Sequence, residues 1–293
     1  MTKNEVAKQE TTALSTNVLE MLEANAGAGT DTLANDDQTR VEIKIAQQTS
    51  PQLKQNNAKY IEGLKQGDMF NSSTGRIYGK EVKLAVVGVY KGLIVWGTLE
   101  DQSKVPPEEE VFEAANPKRY AQIMNESIVN DNNKRIWKGT KKVNTTYRVA
   151  VIVFNEDGTQ EPAVIDCIKT RYKNGKQLNT LLANIRFTDR NGMLRPAPSC
   201  LAMIKAEVVT ASNGSNDWYE LKFSRVMDDP QYLDDKGQFK ANYLAALLGE
   251  TAFLKRNIIS GAEKFALGNT EADDYDTADA ATSFDGAGME EVF

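Results

Sequence analysis

Two apolar runs, YRVAVIVF (Tyr147–Phe154) and AVIDCIKTRY (Ala163–Tyr172), stand on either side of the turn signal NEDG. Both are rich in β-branched residues, and the first is too apolar for an exposed edge, so the pair reads as a hairpin buried within a sheet. The same pattern recurs along the chain. VEIKIAQ alternates apolar and polar side chains at the strand period. GDMFNSSTGRIYG sets apolar residues around a Ser-Ser-Thr-Gly turn, and VKLAVVGVY (82–90) and GLIVWG (92–97) predict two more strands separated by little more than Lys91. CLAMIKAEVVT and WYELKFSRV form another hairpin across ASNGSND, with Tyr219, Leu221 and Phe223 on one face and Glu220, Lys222 and Ser224 on the other. Strands therefore follow strands, which disfavours a doubly wound parallel sheet.

Helices are inserted between these strands. A run beginning at Pro106 and Pro107 predicts one over EEEVFEAA, and another follows Pro117. GKQLNTLLANIRF puts Leu178, Leu181, Leu182 and Ile185 at helical spacing, leaving Lys176 and Arg186 on the opposite face. Tyr243, Leu244, Leu247, Leu248 and Leu254 stripe a last helix that Gly249 is expected to break. The sum is an α+β chain of seven or eight short, largely antiparallel strands. A Greek-key β-barrel of the oligonucleotide-binding type with inserted helices is the expected layout.

Charge divides the chain into three regions. Residues 1–37 carry seven acids against two lysines, and residues 269–293 carry eight acids and no base. Taking those contributions of −5 and −8 from the whole-chain −6 leaves +7 on residues 38–268. The expectation is a basic folded body between two acidic, disordered termini, each too poor in apolar surface to offset its ordering entropy. Residues 15–24 of the first arm are compatible with a short amphipathic helix, or with nothing more than a frayed end.

Within the body the cations cluster with aromatic rings. Between Asp131 and Glu156 there is no acid, yet Lys134, Arg135, Lys138, Lys141, Lys142 and Arg148 fall there with Trp137 and Tyr147. Between Asp166 and Asp189 a second acid-free window holds Lys169, Arg171, Lys173, Lys176 and Arg186, with Tyr172 and Phe187. Cations that neutralise phosphates and rings that stack on unpaired bases are what a single strand needs, each stacked base being worth about 1–3 kcal/mol. The plainer alternative keeps the aromatics in the core and the lysines on a solvated face. The expected ligand is single-stranded DNA.

Other chemistry is disfavoured. Histidine is absent, which removes Ser-His and Cys-His dyads and the usual catalytic zinc sites. GRIYGK imitates a phosphate-binding loop but is one residue short and runs into Glu81. The acidic runs DDP (228–230), LDD (233–235) and EEE (108–110) are adjacent residues near expected helix starts and do not converge as catalytic or metal-binding groups must. Cys167 and Cys200 sit in apolar strands with no partner spacing, so no enzyme, metal or cofactor is expected. No run approaches the roughly 18–20 apolar residues of a membrane span, and the N-terminal residues lack a signal-peptide core. The expectation is a protein of the infected bacterial host's cytoplasm, with no membrane partner and a possible homo-oligomeric state.

A basic body followed by an acidic tail ending in an aromatic resembles the single-stranded DNA-binding proteins of bacteria and of T7-type phages. The matching positions are Glu271, Asp273, Asp274, Asp276, Asp279, Asp285, Glu290, Glu291 and Phe293. That resemblance implies a tail that competes with DNA for its groove and docks replication or recombination proteins. IAQQTSPQL, GLKQGDMFNSSTGRIYG and the β run ending in VWG, about residues 41–97 with an echo in NGKQLNTLLANIRF, resemble a family of uncharacterised phage proteins, some assigned to DNA binding. Two alternatives stay open: a phage single-strand annealing recombinase, and a virion or assembly protein.

Overall fold

The computed structural model describes residues 41–97, 107–168, 171–214 and 216–259. Thirteen strands and three α-helices lie within them. In chain order they are β1 (Ile43–Ile45), β2 (Met69–Asn71), β3 (Ile77–Gly79), β4 (Glu81–Trp96), β5 (Glu109–Phe112), α1 (Pro117–Glu126), β6 (Ser127–Val129), β7 (Arg135–Trp137), β8 (Lys141–Phe154), β9 (Gln160–Ile168), α2 (Tyr172–Ala183), β10 (Arg186–Thr188), β11 (Leu194–Pro196), β12 (Met203–Ser212), β13 (Asp217–Arg225) and α3 (Ala241–Ile259). The fold is mostly antiparallel β, its main sheet curled into a half-barrel, and so belongs to the α+β class.

Two long strands organise that sheet. β4 and β8 pair antiparallel from Lys83↔Phe154 to Trp96↔Lys142. Their outer edges are shared: β12 takes the first half of β4 and β5 the second, while β9 takes most of β8 and β7 its start. A bulge between Val86 and Gly88 shifts the side-chain parity of β4, so Val82, Leu84 and Val86 before it and Leu93 and Val95 after it join cores on the same face of β8. Odd-numbered β8 residues from Val143 to Val153 line that face. α2 covers one end of it with Leu178 and Leu182, α1 covers the other with Tyr120 and Ile123, and α3 packs Leu247 on the opposite face. Each such side chain contributes about 1.5–3 kcal/mol by leaving water. The small sheet β1–β2–β3 joins β9 through a parallel bridge, Glu42↔Val164.

The open edge at β13 is plugged. The Gln47 side-chain amide donates to the Tyr219 carbonyl at 2.8 Å and accepts from the Tyr219 N–H at 3.0 Å, as a neighbouring strand would. Asn174 of α2 donates to the Leu221 carbonyl farther along the same strand. Both occupy backbone groups that would otherwise invite another chain.

Five sequence expectations are corrected. The seven or eight short strands expected are thirteen among the described residues, two of them 16 and 14 residues long. The helix expected to run through Ile185 and Arg186 ends at Ala183, and Arg186 opens β10. VKLAVVGVY and GLIVWG are one 16-residue strand, and Lys91 lies in its middle opposite Tyr147. Within EEEVFEAA no helix forms: Glu109–Phe112 are strand β5 and residues 113–115 a turn. Helix propensity lost there to cross-strand partners: Gly92 leaves room for the Phe112 ring, which would lie 2.7 Å from an added Cβ, and Arg148 neutralises Glu110. Gly249 does not break the last helix, since α3 runs through it. The hairpins β2–β3, β8–β9 and β12–β13 and the helix after Pro117, capped by the Asn116 side chain, form as the sequence predicts. Cys167 and Cys200 are buried in the core.

Candidate nucleic-acid interface

The first basic window divides between surface and core. Lys134 and Lys138 are exposed and Arg135 and Lys142 half-buried, on the β6–β7 hairpin, in the β7–β8 turn or at the start of β8. Lys141 pairs with Glu108. Trp137 is 2% exposed and packs with Leu93, Val95, Tyr120 and Ile123. Its Nε1–H donates to the Glu126 carboxylate at 2.9 Å, which, with a further bond from Gln122, holds that carboxyl below its ordinary range. Lys138, Arg119 and Lys141 lie 4.3, 4.8 and 5.7 Å from the ring centre. The ring expected to stack on a base is a core residue roofed by cations.

Arg148 is also displaced from its expected role. Its side chain is fully buried on the other face of β8. Nε and one terminal nitrogen donate to Asp166 at 2.7 and 2.8 Å, the two terminal nitrogens donate to Glu110 at 2.9 and 3.3 Å, and the guanidinium lies 4.8 Å from the Phe112 ring centre. Burial opposes its charge, but the two carboxylates outweigh burial and raise its pKa. The group ties β5, β8 and β9 together and presents nothing to a phosphate.

The second window comes together with Tyr147. α2 begins at Tyr172, whose ring stacks on Tyr147 with centroids 5.0 Å apart and planes at 20°. Gly175, one turn along the helix, makes that approach possible: a Cβ there would sit 2.8 Å from the Tyr147 Cβ and 2.9 Å from its ring. A glycine inside a helix costs about 1 kcal/mol relative to alanine, so its place is set by this contact. Both tyrosines are half-buried. Lys176 stands 5.2 Å from the Tyr172 ring centre, and Lys91, opposite Tyr147 on β4, stands 5.4 Å from that of Tyr120. Burial, then the neighbouring Tyr147, pushes the Tyr172 phenol up to about 12, so it stays neutral. The Tyr120 hydroxyl and, more weakly, Glu113 raise Lys91, so it stays charged.

The electrostatics of α2 are unusual for a helix start. Its first turn holds no acid, while Arg171, Lys173 and Lys176 crowd the end where the backbone dipole already favours an anion. Lys173 is partly answered by Glu220 at 3.1 Å. At the far end Arg186 is exposed and donates to the Ala183 and Ile185 carbonyls. The waist between α1 and α2 thus offers flat rings beside retained cations, an arrangement suited to a base and its phosphate.

Lys91 and Tyr120 were not among the sequence candidates. The usable signal was that one residue between two apolar runs is too few for a turn, so Lys91 had to lie in a strand. Lys169 and the tail positions Asp273, Asp274, Asp276, Asp279, Asp285, Glu290, Glu291 and Phe293 lie outside the described residues. Among the described residues no group of three or more His, Cys, Asp or Glu side chains converges as a metal site, and no helix is long and apolar enough to cross a membrane.

No curated protein and no solved structure matches the chain. The family model described as Pam3 phage gp34-like protein matches residues 8–245, and on that coverage the chain belongs to this phage protein family.

Proposed function

We propose that the protein binds single-stranded DNA without catalysing a reaction, and serves phage DNA replication or recombination in the host cytoplasm. The observation that carries this reading is the half-exposed Tyr147–Tyr172 stack flanked by Lys91 and Lys176 at the start of an acid-free helix. The curled sheet acts as a platform in the manner of an oligonucleotide-binding barrel. Partly exposed rings beside cations take unpaired bases without demanding a sequence, and the cations supply the salt-dependent share of affinity. The acidic tail competes for the same surface and is handed to a partner protein when DNA displaces it.

The test is a titration of the full chain with fluorescent single- and double-stranded oligonucleotides at two salt concentrations. Single strands bind more tightly, and affinity falls with salt by about 0.7 logarithmic units per tenfold salt for each phosphate contact. Replacing Tyr147 and Tyr172 with alanine weakens binding at least tenfold with little change of slope. Equal affinity for both forms, or indifference to both tyrosines, removes the reading.

A second reading, an annealing recombinase that assembles on its strand, draws on β6. This three-residue strand ends the main sheet with Ile128 and Val129 exposed. Oligomers that form only on adding DNA would favour it.

A further inference from the structure

The β10–β11 ribbon lies apart from the main sheet and pairs only Arg186↔Pro196, Phe187↔Arg195 and Thr188↔Leu194. A two-stranded ribbon is marginal by itself. This one is anchored below by Phe187 and Ala197, which pack on the core, and by the Ala197 N–H donating to the Ile185 carbonyl at 3.0 Å. Its tip is braced by Asp189. One oxygen accepts from the N–H groups of Asn191 and Met193, each at 2.9 Å, and the other accepts from Arg195 Nε at 2.9 Å. The ribbon's single acid is thereby spent inside the turn.

What the brace holds outward is apolar. Met193 is 54% exposed and Leu194 70% exposed, and neither belongs to a core cluster. Arg186 and Arg190 are exposed beside them, and Arg195 remains more than half exposed despite its pair. The ribbon therefore presents Met193 and Leu194 together with the exposed Arg186 and Arg190, while Arg195 is engaged by Asp189. It also follows directly from α2, which carries no acid over a length of about 18 Å at 1.5 Å per residue. The sequence from Tyr172 through Lys176 to Arg186 holds no acid, and Glu220 of β13 is paired to Lys173.

We propose that the ribbon is a second contact for the same DNA strand, with Met193 and Leu194 inserting between successive unpaired bases while Arg186 and Arg190 take the flanking phosphates. The proposal rests on the single-strand reading above. Charge and continuity select the occupant: the ribbon extends the acid-free helix that begins at the tyrosine stack, and a polyanion with apolar faces answers both its exposed arginines and its apolar tip. Side chains such as Met and Leu are known to wedge between bases where arginines hold the backbone. Stacked at one end and wedged at the other, the strand is bound along α2.

The experiment compares the full-length protein with Met193→Ser/Leu194→Ser and with Arg190→Ala, on thymidine oligonucleotides of about six and about twenty residues, bracketing common site sizes. Fluorescence of 2-aminopurine placed along the longer oligonucleotide reports unstacking. All three proteins bind the short oligonucleotide alike. On the long one the double variant loses about tenfold in affinity and the unstacking signal, while Arg190→Ala loses affinity and flattens the salt slope. If the double variant binds and unstacks the long oligonucleotide as the parent does, the ribbon is not a contact, although the tyrosine site stands. If the parent binds neither oligonucleotide, the single-strand reading falls and this proposal falls with it. If the double variant instead loses self-association by light scattering at unchanged DNA affinity, the tip meets a second copy and the proposal is overturned. Circular dichroism of the variants matches the parent, because both side chains lie outside the core.

Discussion

Replacing Arg148 with methionine keeps most of the aliphatic stem and removes a buried charge that binds two carboxylates. Four hydrogen bonds of 2.7–3.3 Å disappear. Asp166 and Glu110, whose side chains are 2% and 14% exposed, lose the guanidinium that both accept from. Breaking a buried ion pair from one side costs about 3–5 kcal/mol, because the remaining charge stays desolvated. Against a typical total of about 5–15 kcal/mol that is a severe loss, and in a domain of this size it lowers Tm by roughly 10 °C. The loss depends on pH in a definite direction. Removing the guanidinium takes away a charge that favours the ionised carboxylates, so both groups rise in the folded state relative to the parent. A raised folded pKa favours folding when the proton is on, so Arg148→Met recovers stability relative to the parent as pH falls from 7 towards 5. Urea unfolding followed by circular dichroism at both pH values measures this. Adding Glu110→Gln and Asp166→Asn to Arg148→Met should restore much of the loss, since neutral groups tolerate the site better than unpaired charges. If Arg148→Met costs less than about 1 kcal/mol, or leaves stability intact while weakening DNA binding, then Arg148 is a surface ligand and the buried-cluster argument is wrong.

Trp137→Ala should cost about 3–5 kcal/mol in the same assay, as expected for a large aromatic removed from a core, and any change in DNA binding should vanish where the variant is fully folded. Gly175→Ala separates helix propensity from packing: propensity alone predicts a gain of about 1 kcal/mol, but the Tyr147 contact predicts a lower Tm and a weaker affinity for single strands. Deleting residues 269–293 removes eight negative charges and should tighten single-strand binding, most strongly at low salt, because at about 0.15 M screening already limits charge interactions to roughly 8 Å. Deleting Phe293 alone should leave DNA affinity unchanged and weaken capture of a partner protein; an unaltered affinity in the tail deletion at low salt rules out masking.

Local pattern determined much of the architecture by itself. The β8–β9 and β12–β13 hairpins, the apolar face of α2 and the Asn116-capped start of α1 each follow from periodicity and turn chemistry acting within about a dozen residues. Charge counting likewise groups Lys176 with Tyr172 in one acid-free window and Tyr147 with Trp137 in the other. What local pattern could not decide was which partner each segment would meet. EEEVF became a strand because β4 offered an unpaired edge and Arg148 a countercharge, neither of which the segment itself contains. Trp137 and Tyr147 are equally aromatic and equally surrounded by cations in sequence, yet α1 closes over the first while Gly175 holds the second at a half-open seam. Arg148 and Tyr147 are neighbours, but successive strand residues point to opposite faces, so one joins a buried ion cluster and the other a stack beside α2. Burial is a property of what packs above a side chain, and that is set by tertiary contacts between segments far apart in the chain.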